Sequence, residues 1–227
     1  MPDTKFFPAP GRSKNPHWDA FHEDPKAHAL AMQSWFLRER LRVYVAALRH
    51  MEQAQESVVL DFSIFSDEIF ATAHYEHGYM TDSEFAQYQA LSSAIFSLGL
   101  PPPHLTIVLH ADATICLERS AGLERPRLDE GYLRRLDVLH RQRYLRDLDR
   151  VYTPRWMDEQ RVPSDAPGLT PAPSLLTLVR DWSDLSKVKP TAIGDAVMCT
   201  EPNDFGLWFA PFRADGMSAR IEALLLS

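Results

Sequence analysis

Residues 58–75 read VVLDFSIFSDEIFATAHY and contain the sharpest local feature of the chain. Its first residues, Val58-Val59-Leu60, form a short β-branched run after a polar break, which is typical of a buried strand. The segment from Asp61 to Asp67 comes directly after that strand. Residues just past the carboxyl end of a strand in an α/β sheet lie where ligands bind. We therefore expect the functional site of the protein here.

Apolar residues at helical spacing predict long helices around this strand. Three segments show that spacing: 24–51, 83–98 and 129–151. Asp24 is the predicted N-cap of the first, with Pro25 in its first turn, and Gly99 ends the second. Two more short apolar runs, 105–109 and 175–179, predict buried strands. Strands that alternate with long helices pair in parallel, so the sequence predicts an α/β layered domain.

The composition excludes several classes of protein. The chain has 227 residues, of which 45% are hydrophobic and 24% charged, as in ordinary globular domains. The 24 Lys and Arg residues and 31 Asp and Glu residues give a net charge of −7. This charge argues against a protein whose main function is to bind nucleic acid. Two cysteines, Cys116 and Cys199, make neither a disulfide framework nor a zinc site and fit the cytosol or the mitochondrial matrix. The apolar stretches are far shorter than a membrane span.

Motifs for nucleotide, metal and acyl chemistry do not occur in the sequence. It contains neither GxxxxGK[ST] nor GxGxxG, and 11–14 (GRSK) is interpreted as a solvated loop. HExxH and GxSxG are also absent, and the nine histidines form no His-x-x-x-His pair on one helix face. We therefore expect no cofactor and no metal site. Residues 1–14 lack the apolar core of a secretory signal, and the question of an organellar address stays open.

The stretch quoted above resembles the signature segment of the deoxynucleoside kinase family, in which a strand ends in Glu/Asp-Arg-Ser and an aromatic residue, Ser-Asp and a helix follow. Other segments match that family in order and spacing: 21–25, 33–37, 102–109, 116–119, 132–133, 139–140 and 175–185. The resemblance implies an α/β, P-loop-kinase-like fold with a three-layer parallel sheet and helices on both faces, here without the family's first strand and P-loop. Residues 1–186 would form this degenerate domain and 187–227 a C-terminal extension.

The departures from the family bear on catalysis. Ala9 stands where the resemblance places the glutamate that acts as base toward the nucleoside hydroxyl, and alanine cannot take a proton. Phe62 stands in place of the arginine of Glu/Asp-Arg-Ser, and Glu68 in place of a second arginine. Phosphoryl transfer depends almost entirely on positioning and charge neutralisation. The resemblance, with these departures, therefore implies no catalytic residues and no enzyme.

Some residues that the family uses for binding are retained. Gln33 matches the base-reading glutamine, Asp61 the acid of the strand-end motif, and Asp67 a second acidic group. Together they would form a relic nucleoside pocket. The alternative is structural, with Gln33 a polar helix residue bonded to a neighbour and with Asp61 or Asp67 capping the helix near Ile64.

The lid of the family is rich in arginine, and three arginines fall at that place here: Arg119, Arg125 and Arg127. They are either a relic lid or part of a solvated, salt-bridged helix face, because acids are interleaved through the same stretch. The C-terminal extension holds aromatic residues without a helical period: Trp208, Phe209 and Phe212. We expect these aromatic side chains at an interface.

Further details resemble the nucleoside-kinase-like accessory subunits of mitochondrial respiratory complex I. The shared segments are 21–25 (FHEDP), 32–35 (MQSW), 63–67 (SIFSD) and 102–105 (PPHL). This resemblance implies a non-catalytic structural subunit on the matrix side of the inner mitochondrial membrane. Its partners would be subunits of a large complex, with no nucleic acid and no transmembrane segment of its own. Two alternatives stay open: a deoxynucleoside kinase with an incomplete N-terminus, and a free nucleoside-binding pseudokinase.

The resemblance also places the family's first strand in the middle of the sheet, between 58–61 and 105–109. Without that strand, backbone groups of both neighbours lose their partners, at about 1–3 kcal/mol for each buried group. We therefore expect a chain that is poorly stable alone and gains a strand from a partner or from its own terminal segments.

Overall fold

The structure, a computed structural model, describes residues 4–103, 105–120, 129–144, 151–152, 176–181 and 183. The chain divides into two compact units, 1–95 and 96–227. The predicted domain boundary at residue 186 and the predicted extension 187–227, with its three aromatic residues, lie outside the described residues.

The first unit combines a two-stranded parallel sheet with helices. Its elements in chain order are β1 (Thr4–Phe7), α1 (Trp18–Glu23), α2 (Pro25–Ala54), β2 (Ser57–Leu60), α3 (Asp67–Glu76) and α4 (Asp82–Phe96), with short 3-10 turns at Arg12–Lys14 and Ile64–Ser66. β1 and β2 run parallel from the pair Thr4–Ser57 to the pair Phe7–Leu60. The N–H of Asp61 donates to the carbonyl of Phe7 at 3.0 Å and continues the ladder by one residue.

Helix α2 confirms the prediction for 24–51 and extends it to Ala54. The side chain of Asp24 accepts the N–H of Ala27 at 3.2 Å and is therefore the predicted N-cap. The helix ends at Gln55, which adopts the left-handed conformation with φ 55°. One face of α2 is buried along its length: Ala29, Met32, Phe36, Leu37, Leu41, Tyr44, Val45 and Ala47. Because this face is fixed by packing, polar side chains on it are held at defined places.

The two faces of the β1–β2 sheet differ in their cover. On one face, the ring of Phe7 lies 5.9 Å from the ring of His50 on α2, centroid to centroid. On the other face, Phe6 and Val59 are register partners and are 55% and 51% exposed. Parallel strands are usually covered on both faces. These two side chains therefore form an exposed apolar surface, which we call the Phe6–Val59 patch.

The second unit is a three-stranded parallel sheet with two described helices. Its elements are β3 (Leu105–His110), α5 (Ala113–Ser120), α6 (Glu130–Tyr144), β4 (Val151–Tyr152) and β5 (Leu176–Asp181). The strand order is β3-β5-β4, and both pairings are parallel. The predicted strands at 105–109 and 175–179 and the predicted parallel pairing are therefore confirmed. The predicted burial of 105–109 is wrong, because Leu109 is 47% exposed. Among the described helices, none is both long and apolar enough to cross a membrane.

Sequence reasoning placed the end of one helix wrongly and missed another helix. The helix predicted over 129–151 is described only as far as Tyr144, and Val151 lies in β4, paired with Thr177 of β5. A β-branched residue such as valine packs well on a sheet, and this pairing overrides the helical spacing. Helix α1 was not predicted, because six residues are too few to show a helical period.

Candidate functional site

A buried polar cluster lies just beyond the carboxyl end of β2. Its members come from three helices: Gln33 and Arg40 from α2, Asp67 from the first position of α3, and Tyr88 from α4. Gln33 and Arg40 are seven residues apart, which is about two turns and places both on one face of α2. We call these four residues the Asp67 cluster.

The carboxylate of Asp67 is the acceptor at the centre of this cluster. Nε2 of Gln33 donates to Oδ2 of Asp67 at 2.9 Å and to its backbone oxygen at 3.3 Å. The hydroxyl of Tyr88 donates to the same Oδ2 at 2.7 Å. Nη1 of Arg40 donates to Oδ1 and forms an ion pair with it. Three donors from two other helices therefore hold the first residue of α3.

Burial governs the electrostatics of the Asp67 cluster. Asp67 is 0% exposed and Tyr88 1% exposed. Burial raises the pKa of Tyr88 well above its usual value, and the negative charge of Asp67 raises it further. The phenol therefore stays protonated and remains a donor. Separating the buried side chains of Arg40 and Asp67 would leave each charge without its partner. The ion pair therefore holds both side chains in one arrangement.

Aromatic rings surround the guanidinium of Arg40. Its central carbon lies 4.8 Å from the ring centroid of Phe62, 5.3 Å from that of Phe36 and 5.4 Å from that of Phe70. Distances below about 6 Å are those of cation–π contacts. Phe62 is also one of two described non-glycine residues with a positive φ, at 74°.

The structure brings together two of the three residues predicted for the relic pocket. Gln33 and Asp67 are hydrogen-bonded, whereas Asp61 is exposed at the end of β2 and donates its backbone N–H to Phe7. The turn that begins at Ile64 is capped by Ser63, whose Oγ accepts the N–H of Phe65 at 3.2 Å. The interpretation of Asp61 or Asp67 as a side-chain cap for that turn is therefore wrong.

Sequence reasoning missed Arg40 and Tyr88. For Arg40 a signal existed, since a residue seven positions after Gln33 on one helix must share its face. For Tyr88 there was none, because it lies in the apolar stripe of α4 and its hydroxyl reaches Asp67 only through tertiary packing. Ala9, which the resemblance places at the position of the family's base, is half-buried just past β1.

The predicted lid arginines are only partly described. Arg119 lies in α5 and donates from Nη2 to the backbone oxygen of Ser183 at 2.9 Å. Arg125 and Arg127 fall in 121–128, outside the described residues. Arg119 therefore contacts the chain just past the end of β5. The lid itself remains a prediction.

The second unit has a polar cluster of its own, at the carboxyl end of β3. Oδ1 of Asp137 lies 3.1 Å from Nε2 of His110, and Nε of Arg141 donates to Oδ2 of Asp137 at 3.0 Å. Burial opposes ionisation of Asp137, but the bonds from His110 and Arg141 outweigh it and lower its pKa. A cavity of about 170 Å³ adjoins these residues and Cys116. Within the described residues, no group of His, Cys, Asp and Glu could hold a metal ion.

The fold matches that of a solved nucleoside kinase. The structure of deoxyadenosine kinase from M. mycoides aligns with a TM-score of 0.52 and 15% identity, over 86% of this chain and 84% of that one. The predicted P-loop-kinase-like α/β class is thereby confirmed. Residues 8–163 match the sequence pattern of the family described as Deoxynucleoside kinase. This match covers more than half of the chain, and the protein belongs to the deoxynucleoside kinase family.

Relatives of known function fall into two groups. Deoxyguanosine kinase of Dictyostelium discoideum is 31% identical over 111 residues, which is 49% of this chain and 39% of that protein. The mitochondrial NADH dehydrogenase [ubiquinone] 1 alpha subcomplex subunit 10 of Mus musculus is 26% identical over 136 residues, 56% of this chain and 37% of that protein. The same subunit of Bos taurus is 24% identical over 144 residues, 60% of this chain and 41% of that protein. The chain thus spans about two fifths of the length of these relatives.

Proposed function

We propose that this protein is a non-catalytic structural accessory subunit of a mitochondrial membrane assembly, namely respiratory complex I, on the matrix side of the inner membrane. The observation that carries the proposal is the residue at the end of β2. The strand-end motif of the family has an arginine there, whereas this chain has Phe62, whose ring lies on Arg40.

The chemistry of the site supports a non-catalytic role. Phosphoryl transfer needs positive charge near the reacting oxygens and a base for the hydroxyl. Phe62 supplies no charge, Ala9 accepts no proton, and Arg40 is committed to Asp67. The carboxylate of Asp67 accepts hydrogen bonds from Gln33, Tyr88 and Arg40, and these contacts support a role in stabilising the fold rather than in activating a substrate.

Two observations support a place in an assembly. The similarity to subunit 10 of the NADH dehydrogenase alpha subcomplex recurs in Mus musculus and Bos taurus. The Phe6–Val59 patch lies on a face of parallel strands that is usually covered, and exposed apolar surface of this kind favours burial against another protein. The proposed partners are other protein subunits of the complex.

The proposal is tested by deletion and rescue in the source organism. We expect deletion of the protein to lower the amount of assembled complex I and its NADH:ubiquinone activity. A chain with Asp61→Asn should restore the amount of complex I and its activity to the level reached with the unaltered chain. The reason is that the carboxylate at the end of β2 takes no part in catalysis under this proposal. Unchanged complex I after deletion, or failure of rescue by a stably folded Asp61→Asn chain, would contradict the proposal.

A second candidate is a deoxynucleoside kinase, and the similarity to deoxyguanosine kinase of Dictyostelium discoideum favours it. The two candidates differ in one observable property. Only a kinase transfers phosphate from ATP to a deoxynucleoside.

A further inference from the structure

The cavity of about 170 Å³ in the second unit lies at the carboxyl end of β3. Three parts of the chain form its walls: β3 with the loop that follows it, α5, and α6. Most of the lining side chains are apolar: Val108, Leu109, Ala111, Ala113, Leu133 and Leu136. A dry apolar cavity of about 150 Å³ is large enough to bind benzene. The space in this unit therefore suits a single aromatic ring.

A bonded group of polar side chains also lines the cavity: His110, Asp137 and Arg141. Nε of Arg141 donates to both carboxylate oxygens of Asp137, at 3.1 and 3.0 Å, and Nε2 of His110 lies 3.1 Å from Oδ1. The side chain of Asp137 is 28% exposed, against 8% for His110 and 10% for Arg141. A carboxylate has about four acceptor positions. Asp137 is therefore the member of this group that can accept a further hydrogen bond from a molecule in the cavity.

The charges of the group decide which molecules fit it. Burial opposes ionisation of Asp137, but the bonds from His110 and Arg141 outweigh it and lower its pKa, so the carboxylate is ionised near neutral pH. Arg141 already pairs with that carboxylate. A charged molecule would therefore lose its hydration between apolar walls without gaining a counter-charge, which is costly. A neutral molecule that donates an O–H or N–H to Asp137 avoids that cost.

We propose that this cavity is a binding site for a small neutral aromatic molecule with one hydrogen-bond donor. The ring packs against the apolar walls, and the O–H or N–H donates to Asp137. Ligand pockets in proteins commonly have this composition, with mainly apolar walls and a few polar groups that fix the orientation of the ligand. The proposal goes beyond a role in an assembly and does not depend on it.

The choice among simple aromatic molecules tests the proposal on the full-length chain. Phenol is the probe, and NMR of the methyl groups of Leu133 and Leu136 reports its binding. We expect saturable shifts of these signals. Anisole keeps the ring and the oxygen but lacks the donor hydrogen, so it should bind several-fold more weakly. Benzoate and benzylammonium are charged and should also bind more weakly than phenol. Absence of saturable shifts with phenol, equal binding of anisole, or tighter binding of either charged molecule would overturn the proposal.

Substitutions that fill the cavity locate the binding. Ala113 lies in its wall and is 8% exposed, so the larger side chain of Ala113→Leu should take the place of the ring and abolish saturable binding of phenol. Cys116→Leu is a second filling variant, in case the first does not fold, and near-UV circular dichroism shows whether each is folded. The matched control is Ala86→Leu, at an exposed position of α4, which should bind phenol like the unaltered chain.

Unchanged phenol binding in a folded filling variant, or its loss in the Ala86→Leu chain, would contradict the proposal. The selectivity measurements on the unaltered chain stand even if both filling variants fail to fold. None of these outcomes alters the result of deletion and rescue, so the proposed function is judged separately.

Discussion

Nε2 of Gln33 on α2 lies 2.9 Å from a carboxylate oxygen of Asp67, thirty-four residues farther along the chain at the start of α3. The same oxygen accepts the hydroxyl of Tyr88 from α4 at 2.7 Å. These contacts join three helices around one carboxylate. Gln33 and Asp67, which the resemblance to the family assigns to a nucleoside pocket, bond each other directly, as the proposed structural role expects.

The first prediction concerns the charge at the centre of the cluster. Asp67→Asn removes the partner of Arg40, whose side chain is only 10% exposed. Loss of one member of a buried pair leaves an uncompensated charge and costs roughly 3–5 kcal/mol. We expect the free energy of unfolding in urea to fall by about this amount.

Asp61→Asn is the matched control for this measurement, because Asp61 is exposed at the end of β2. Exposed substitutions of this kind have little effect. Equal losses of stability in the two variants would show that the Asp67 cluster does not stabilise the unit.

The second prediction concerns the hydroxyl of Tyr88. Tyr88→Phe leaves the ring in place but removes one donor to Asp67, and a hydrogen bond to a charged group contributes roughly 1.5–3 kcal/mol. We expect a fall in the urea midpoint that corresponds to this range. Tyr75→Phe removes a hydroxyl that bonds Asp82 at the surface and should change the midpoint much less. A Tyr88→Phe chain as stable as the unaltered one would contradict the prediction.

The third prediction is a loss of stability in mild acid through His74. Burial, and secondarily the nearby His77, lower the pKa of His74 to about 4 from an ordinary value of 6.5. The unfolded chain therefore binds more protons than the folded chain between these two values. The contribution to stability is fully present above about pH 6.5 and is lost as the pH falls toward 4, by on the order of 3 kcal/mol.

The change at His74 can be measured in two ways. His74→Phe should flatten the acid limb of stability against pH, because phenylalanine binds no proton. The substitution keeps an aromatic ring next to those of Phe21 and Tyr79, which lie 5.1 and 6.0 Å from the ring of His74. In NMR, the ring protons of His74 should shift only below about pH 5. A titration of His74 near its ordinary value would contradict the prediction.

The fourth prediction is the absence of kinase activity. With Mg²⁺ and ATP, we expect the purified chain to phosphorylate none of the four deoxynucleosides. Phe62→Arg should restore nothing, because one cation cannot replace the positioning and charge neutralisation of a whole phosphate site. Phosphorylation that is lost on Asp61→Asn would favour the kinase alternative instead.

The sequence predicted the scaffold better than the site. The apolar spacing of 24–51 indicated α2, and Asp24 identified its start, because helix periodicity and capping are local properties. The strand 105–109 was recognisable as a short apolar run for the same reason. Resemblance to the family indicated Gln33 and Asp67 as site residues. Periodicity and spacing alone did not predict the hydrogen bond between them.

What could not be predicted depends on tertiary packing. In the sequence, Tyr88 is one of the residues of the apolar stripe of α4, and only the structure shows that its hydroxyl donates to Asp67. The place of Val151 in β4 follows from its partner Thr177, which is distant in the chain. The positive φ of Phe62 had no signal either, because phenylalanine is not a residue that favours it.

The most direct test of the proposed role is the size of the native particle that contains this chain. Mitochondria of the source organism, solubilised in mild detergent and separated by native electrophoresis, can be probed with an antibody against the chain. We predict that the chain migrates with the NADH dehydrogenase activity of complex I and that little of it runs at the 25.9 kDa of the free chain. A chain found only as a free monomer, or only outside mitochondria, would contradict the account.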